Sequence, residues 1–206
     1  GLVGSEMCIR DRGRLVWAQG EYDKAIDFYE KALKIAEESD DKYGIAIATN
    51  NLGSAYYNKG DYNKALELYT KSLEISEEIG FKSGISKASS NIGIIYSSLG
   101  EFDKAVNFYK RDLRISEEIG DKLGIGLVNS YLGNVHLTRC NYDEAEKYYN
   151  KSIEIFSKIG YKHGLAGVIG NLVFIFHARG EYDKAVRYSK KCLKLSKEIN
   201  FKQGIA

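Results

Sequence analysis

Proline is absent from all 206 residues, so nothing marks a proline-rich linker or a second domain. Cysteine is scarce: Cys8, Cys140 and Cys192 form no CxxC and have no partnered histidine spacing. That usage argues against a disulfide framework or a zinc site and fits free thiols in a reducing, cytoplasmic setting. No apolar run reaches the roughly 18 residues needed to span a bilayer. The nearest approach, Leu165 to Phe176, is broken by Gly167, Gly170 and Asn171. Excess charge of one sign is also missing: 30 basic and 28 acidic residues leave a formal net charge of +2. Interspersed charges of this kind give no electrostatic footprint for nucleic acid. With 44% hydrophobic residues, the chain still has the apolar material for a continuous core.

What fills the chain is one unit written repeatedly. The stretch Asn51 to Gly80 reads as a helix, a tight turn at Gly60-Asp61 and a second helix, and its landmarks recur every 40 residues. A turn column runs Gly20, Gly60, Gly100, Cys140, Gly180, followed by Tyr22, Tyr62, Phe102, Tyr142, Tyr182. An alanine column holds without exception through Ala25, Ala65, Ala105, Ala145 and Ala185. Four residues on stand Tyr29, Tyr69, Tyr109, Tyr149 and Ser189, then Leu33, Leu73, Leu113, Ile153 and Leu193. Ala65, Tyr69 and Leu73 are spaced i, i+4, i+8, so they share a helix face that must be buried. The preceding helix supplies the matching stripe with Leu52 and Tyr56. Its Gly53 is repeated as Gly93 and Gly133 and replaced by Val173, and these small residues let two backbones approach.

Second helices are expected to stop at Asp40, Gly80, Gly120, Gly160 and Asn200, residues that tolerate a left-handed conformation. The lysines two residues later, from Lys42 to Lys202, read as cations near a helix C-terminus or as a ladder for an acidic partner. Asp41, Asp61 and Asp121 are expected N-caps, and Asn141 with Glu144 has capping-box spacing.

Leu52-Gly53, Tyr56, Gly60, Tyr62, Ala65 and Tyr69 resemble the tetratricopeptide repeat signature, and the match recurs from about Gly13 to Lys197. The unit is longer than the usual repeat of about 34 residues. The family's common proline is replaced by Glu77, Glu117, Ser157 and Lys197. It is similar to the long-repeat branch found in cell-polarity adaptors, kinesin light chains and bacterial regulators. The resemblance implies an all-α, right-handed superhelical solenoid of antiparallel helix pairs with about four and a half repeats.

The ends depart from the pattern. Arg12 occupies the Leu52 column, and the string GLVGSEMCIRDR resembles translated sequencing-adapter read-through. Residues 1–12 are therefore expected to be non-native and residues 13–206 to be the array. Gly204-Ile205-Ala206 matches Gly44-Ile45-Ala46, so the array is expected to break off within a repeat.

By the same resemblance, first helices line an inner groove, and a ligand is read where groove positions differ between repeats. The columns are Ile47, Lys87, Leu127, Gly167; Asn50, Ser90, Ser130, Gly170; Arg14, Ser54, Ile94, Asn134, Phe174; and Trp17, Tyr57, Ser97, Leu137, His177. The candidates drawn from them are Asn50, Ser54, Tyr57, Lys87, Ser90, Ile94, Ser130, Asn134, Leu137, Phe174 and His177. Asn and Ser pair with an extended backbone, while Ile94 and Phe174 offer apolar contact. Only Arg14 and Lys87 are cationic, which argues against a clamp for a terminal carboxylate.

Catalysis has no motif: there is no phosphate loop, nucleophile elbow or carboxylate pair. His136 and His177 lie on neighbouring first helices, but no further ligand completes a metal set. The expectation is a non-enzymatic scaffold without a cofactor that binds a protein or peptide. The alternative is a ligand- or peptide-sensing regulatory array of a larger signalling or transcription-regulating protein, and a substrate-recruiting arm of an enzyme is a third reading.

Overall fold

The computed structural model describes residues 2–203, with side chains described for 6–199. Ten α-helices and no strands make up the described residues: α1 (Leu2–Ala18), α2 (Tyr22–Glu38), α3 (Lys42–Asn58), α4 (Tyr62–Glu78), α5 (Lys82–Ser98), α6 (Phe102–Ile119), α7 (Lys122–Thr138), α8 (Tyr142–Ile159), α9 (Lys162–Ala178) and α10 (Tyr182–Gln203). The expected all-α repeat architecture is therefore present. The helices fall into two compact units that divide after Ile115, within α6.

In unit 1, α1 packs on α2, α2 on α3, α3 on α4 and α4 on α5. In unit 2, α7 packs on α8, α8 on α9 and α9 on α10. Such nearest-neighbour packing follows from the sequence because each helix carries one apolar stripe toward its pair and another toward the next element. Ala25, Ile26 and Tyr29 of α2 form a core with Leu52 and Ala55 of α3. Ala65, Tyr69 and Leu73 of α4 repeat it with Ala88, Ile92 and Ile95 of α5. Ala145, Tyr149 and Phe156 of α8 do so with Val168, Leu172 and Ile175 of α9.

The crossings depend on matched sizes. A Cβ added at Gly13 would stand 2.6 Å from the Tyr29 ring, at Gly53 2.8 Å from Tyr69, at Gly93 2.6 Å from Tyr109 and at Gly133 2.5 Å from Tyr149. In the last pair both partners change together: Val173 takes the glycine column and Ser189 the tyrosine column. A second match surrounds Phe156, the one large residue in the column Ala36, Ser76, Ser116, Phe156. It lies over Gly126, where a Cβ would meet its ring at 2.4 Å.

The turns follow the sequence. Asp40 (φ 51°), Gly80, Gly120 and Gly160 are left-handed, as are Gly20, Gly60, Gly100, Gly180 and Cys140 (φ 56°). Cys140 alone in its column carries a β-carbon there, at a cost of about 1–2 kcal/mol. Cys140→Gly is expected to raise stability by about 1 kcal/mol in a urea titration, and no gain would contradict that strain.

The side chains of Asp41, Asp61 and Asp121 accept from the N–H groups of Gly44, Lys64 and Gly124. Three expectations are corrected. Asn141 makes no side-chain cap bond, and Glu144 turns instead to Lys147, 3.5 Å away. Asn200 lies inside α10; continuing the helix spares it the steric cost of the left-handed region. Lys202 lies within α10, while Lys42, Lys82, Lys122 and Lys162 stand at the start of first helices, because the turns are too short to leave them on the preceding helix. There the helix dipole disfavours a cation, and carboxylates supply the compensation: Lys42 pairs with Glu78 and Lys162 with Glu198.

In α1, Arg12 is exposed, whereas Glu6 is buried and paired with Arg10 at 3.1 Å. The match of Gly204 to Ala206 with the start of a first helix falls outside the described residues.

Candidate functional site

In unit 1, Ser54 Oγ accepts from the Tyr69 hydroxyl at 3.1 Å, and Asn50 Oδ1 accepts from Asn91 Nδ2 at 3.2 Å. In unit 2, Asn134 Oδ1 accepts from the Tyr149 hydroxyl at 2.7 Å and from Asn171 Nδ2 at 2.9 Å. Ser54 and Asn134, two members of the column Arg14, Ser54, Ile94, Asn134 and Phe174, therefore serve the scaffold tyrosines. Among the described residues the amide N–H groups of Asn50 and Asn134 donate to nothing, so each asparagine keeps donors to offer.

Sequence reasoning missed the partners of these two residues. Asn51, Asn91 and Asn171 form a column of their own, interrupted by Tyr131. The signal was present as a polar residue repeated immediately before the buried Leu/Ile position. A second missed column, Ser72, Asp112, Ser152 and Cys192, lies in or near the core. Ser72 and Ser152 donate to the carbonyls of Ala46 and Gly126, each at 2.8 Å. In the third repeat the Ser86 hydroxyl meets Asp112 at 2.5 Å.

The other candidates divide by burial. Tyr57 is half-buried against the α4–α5 core and lies 5.4 Å from the Tyr62 ring. Leu137 packs partly against the α8–α9 core. Ser90, Ile94 and Ser130 are half-buried, whereas Lys87, Phe174 and His177 are exposed. Two clefts take in candidate residues. One in unit 1, of about 610 Å³, is lined by Asp11, Arg14, Trp17, Tyr29, Asn51 and Ser54 among others. One in unit 2, of about 470 Å³, lies between α9 and α10 and takes in Phe174, His177, Tyr182 and Val186. Both volumes fall in the range of ligand-sized recesses.

His136 stacks on Tyr148 and His177 meets the edge of Tyr182, so both rings have aromatic neighbours. Among the described residues no group of three or more His, Cys, Asp or Glu side chains is placed to hold a metal ion. No described helix is long and apolar enough to cross a membrane.

The scaffold tyrosines also set a pH response. Burial pushes the Tyr69 phenol up to about 12 and raises Tyr149 further still, each opposed by its hydrogen bond. The folded state thus keeps these protons where the unfolded chain, at about 10, has released them. Stability from this source is complete below pH 10 and is lost as pH rises toward 12. Tyr69→Phe is expected to flatten the alkaline limb of a stability–pH curve, and an identical limb would contradict the assignment.

The tetratricopeptide repeat profile matches residues 44–118 and 124–198, and a second tetratricopeptide repeat profile matches residues 8–39. No curated protein matches the chain. Among solved structures, BtubC (BKLC) from P. vanneervenii is similar with a TM-score of 0.84 and 21% identity, over 97% of this chain and 82% of that one. A Rap protein in complex with Competence and Sporulation Factor gives 0.82 and 20%, over 92% of this chain and 53% of that one. The apo quorum sensor NprR from B. thuringiensis gives 0.79 and 18%, over 96% of this chain and 55% of that one. The chain thus spans about half the length of the latter two, and at these identities the likeness is one of fold. With the two profiles covering most of its length and the helix pairs repeating the signature residues, this chain belongs to the tetratricopeptide repeat family.

Proposed function

We propose that the chain is an interaction scaffold whose first-helix face binds an extended or helical segment of a partner protein. The observation that carries this reading is the state of Asn50 and Asn134. In each unit an asparagine has its carbonyl fixed by a neighbouring asparagine and its amide N–H groups uncommitted among the described residues. A fixed amide suits the carbonyls of a peptide backbone, because little ordering remains to be done on binding. Each unit also has a cleft with apolar side chains in its lining, Leu15 and Trp17 in one and Phe174 in the other.

A second reading, a sensing array within a larger regulator, is supported by the likeness to the Rap complex and to the quorum sensor NprR. One experiment addresses both. Partner segments recovered by pull-down with the wild-type chain are titrated against it and against an Asn50→Ala, Asn134→Ala, Phe174→Ala variant, with X-ray scattering at saturation. Equal affinity in a folded variant would sink the groove assignment. A radius of gyration unchanged by the bound segment would count against the sensor.

A further inference from the structure

The scaffold tyrosines of α4 and α8 each find an acceptor on the preceding first helix: Ser54 Oγ takes the Tyr69 hydroxyl, and Asn134 Oδ1 takes that of Tyr149. Tyr29 of α2 stands in the same column, and its ring lies over Gly13 as theirs lie over Gly53 and Gly133. The residue beside Gly13, however, is Arg14, which carries donors only. Tyr29 is 3% exposed, and its hydroxyl has no hydrogen-bond partner among the described residues. Burial raises the Tyr29 phenol and the Arg14 charge opposes the rise, so the guanidinium is within electrostatic reach of the ring.

Asn51 of α3 completes the set. Its counterpart Asn171 donates to Asn134 at 2.9 Å and to the Tyr149 hydroxyl oxygen at 3.2 Å, and its counterpart Asn91 donates to Asn50. At the α1–α3 junction the columns of Asn134 and Asn50 are filled by Arg14 and Arg10, neither of which accepts. Asn51 therefore has no partner among the described residues. Arg14, Tyr29 and Asn51 line the cleft of about 610 Å³ together with Trp17. Asp11 also borders it, but it stands 3.9 Å from Arg14 with both side chains well exposed, which makes a weak pair.

This face is open within the array and not only at its start. α1 and α3 are neighbours with α2 packed on both. At the corresponding positions further along, Ser54, Asn91 and Asn171 are half-buried and Asn134 is exposed, so no other helix covers them.

We infer that Arg14, Tyr29 and Asn51 form a subsite for a carboxylate side chain, Asp or Glu, carried by the partner segment that binds the first-helix face. The inference rests on that proposed function and names the chemistry of the partner at one point. The carboxylate is the acceptor that Ser54 and Asn134 provide elsewhere, and the guanidinium meets its charge. Trp17 offers apolar contact to its stem. A single cation in the lining, with Asp11 beside it, suits one carboxylate better than a phosphate or a run of acids.

The test selects random displayed peptides of about 12 residues, their C-termini fused to the carrier, on the whole chain and on an Arg14→Asn variant. That substitution removes the charge and gives Tyr29 the acceptor that Tyr149 has. Wild-type binders are expected to share an acidic position that binders of the variant lack. A selected peptide, synthesised with an amidated C-terminus, should bind wild type about tenfold more weakly once that acid is changed to its amide, and the same change should matter less than about twofold on Arg14→Asn. Tyr29→Phe with unchanged circular dichroism should cost about threefold. No shared acidic position, or one kept on Arg14→Asn, overturns the proposal. A peptide whose acid is dispensable once its C-terminus is left free overturns it in favour of a terminal carboxylate. Peptides that need Asn50 but no acid sink the subsite and leave the first-helix reading standing. Peptides that need the acid but bind Asn50→Ala at full affinity uphold the subsite and sink that reading, and failure to select any peptide overturns both.

Discussion

Gly133→Val is expected to lower the stability of the chain by about 1–3 kcal/mol, read as an earlier midpoint in a urea titration at unchanged slope. The first atom added already meets the Tyr149 ring at 2.5 Å, and both residues are buried, so neither has room to yield. Removing the ring instead, by Tyr149→Ser, leaves a void and is expected to cost about 3–5 kcal/mol. The α9–α10 pair shows how the two changes fit together, since it carries Val173 and Ser189 at the same two positions. The double substitution is therefore expected to be less damaging than the sum of the single ones, with a coupling of about 0.5–3 kcal/mol. Recovery stays incomplete because the Tyr149 hydroxyl also donates to Asn134 at 2.7 Å. Strict additivity would show that the paired replacement at 173 and 189 has nothing to do with packing.

The second large effect belongs to recognition. Replacing Asn50, Asn134 and Phe174 together is expected to weaken a bound partner segment by about a hundredfold or more, since a well-placed interface residue contributes about 1–2 kcal/mol. The three differ in their cost to the fold. Phe174 is 57% exposed and its loss removes little packing. Asn50→Ala frees Asn91, which is half-buried and within reach of water. Asn134→Ala is the most expensive, because it strips the acceptor from a buried tyrosine at a cost of about 1–3 kcal/mol. Binding must therefore be compared at a denaturant concentration and temperature where both chains are fully folded.

The fold was legible in the sequence because its causes repeat. Ala65, Tyr69 and Gly53 recur at fixed spacing, because a crossing that tolerates few combinations of sizes keeps the glycine–tyrosine pairing in four copies and changes both partners together in the fifth. The left-handed helix ends at Asp40, Gly80, Gly120 and Gly160 were legible for the same reason, whereas Asn200 continues α10 and Cys140 was legible only as a turn position. The lysine column was read against the wrong helix end, since a spacing of two residues past a turn does not say which helix has begun; the carboxylates that hold it lie 36 residues away. The candidate site was legible only as a set of columns. That Ser54 and Asn134 hold scaffold tyrosines, and that Asn91 and Asn171 hold Asn50 and Asn134, depends on side-chain directions that periodicity alone does not specify.

The proposed division of the repeat into residues that build it and residues that read a ligand is tested most directly by one calorimetric titration. A recovered partner segment is titrated into the wild-type chain, the Asn50→Ala, Asn134→Ala, Phe174→Ala variant and a packing variant, Gly126→Ala, whose added Cβ would meet the Phe156 ring at 2.4 Å, each shown to be folded by circular dichroism. The prediction is that the first variant loses about a hundredfold in affinity while the second, though less stable, binds within a few-fold of wild type. Equal affinities for wild type and the first variant, or a loss confined to the packing variant, would contradict it.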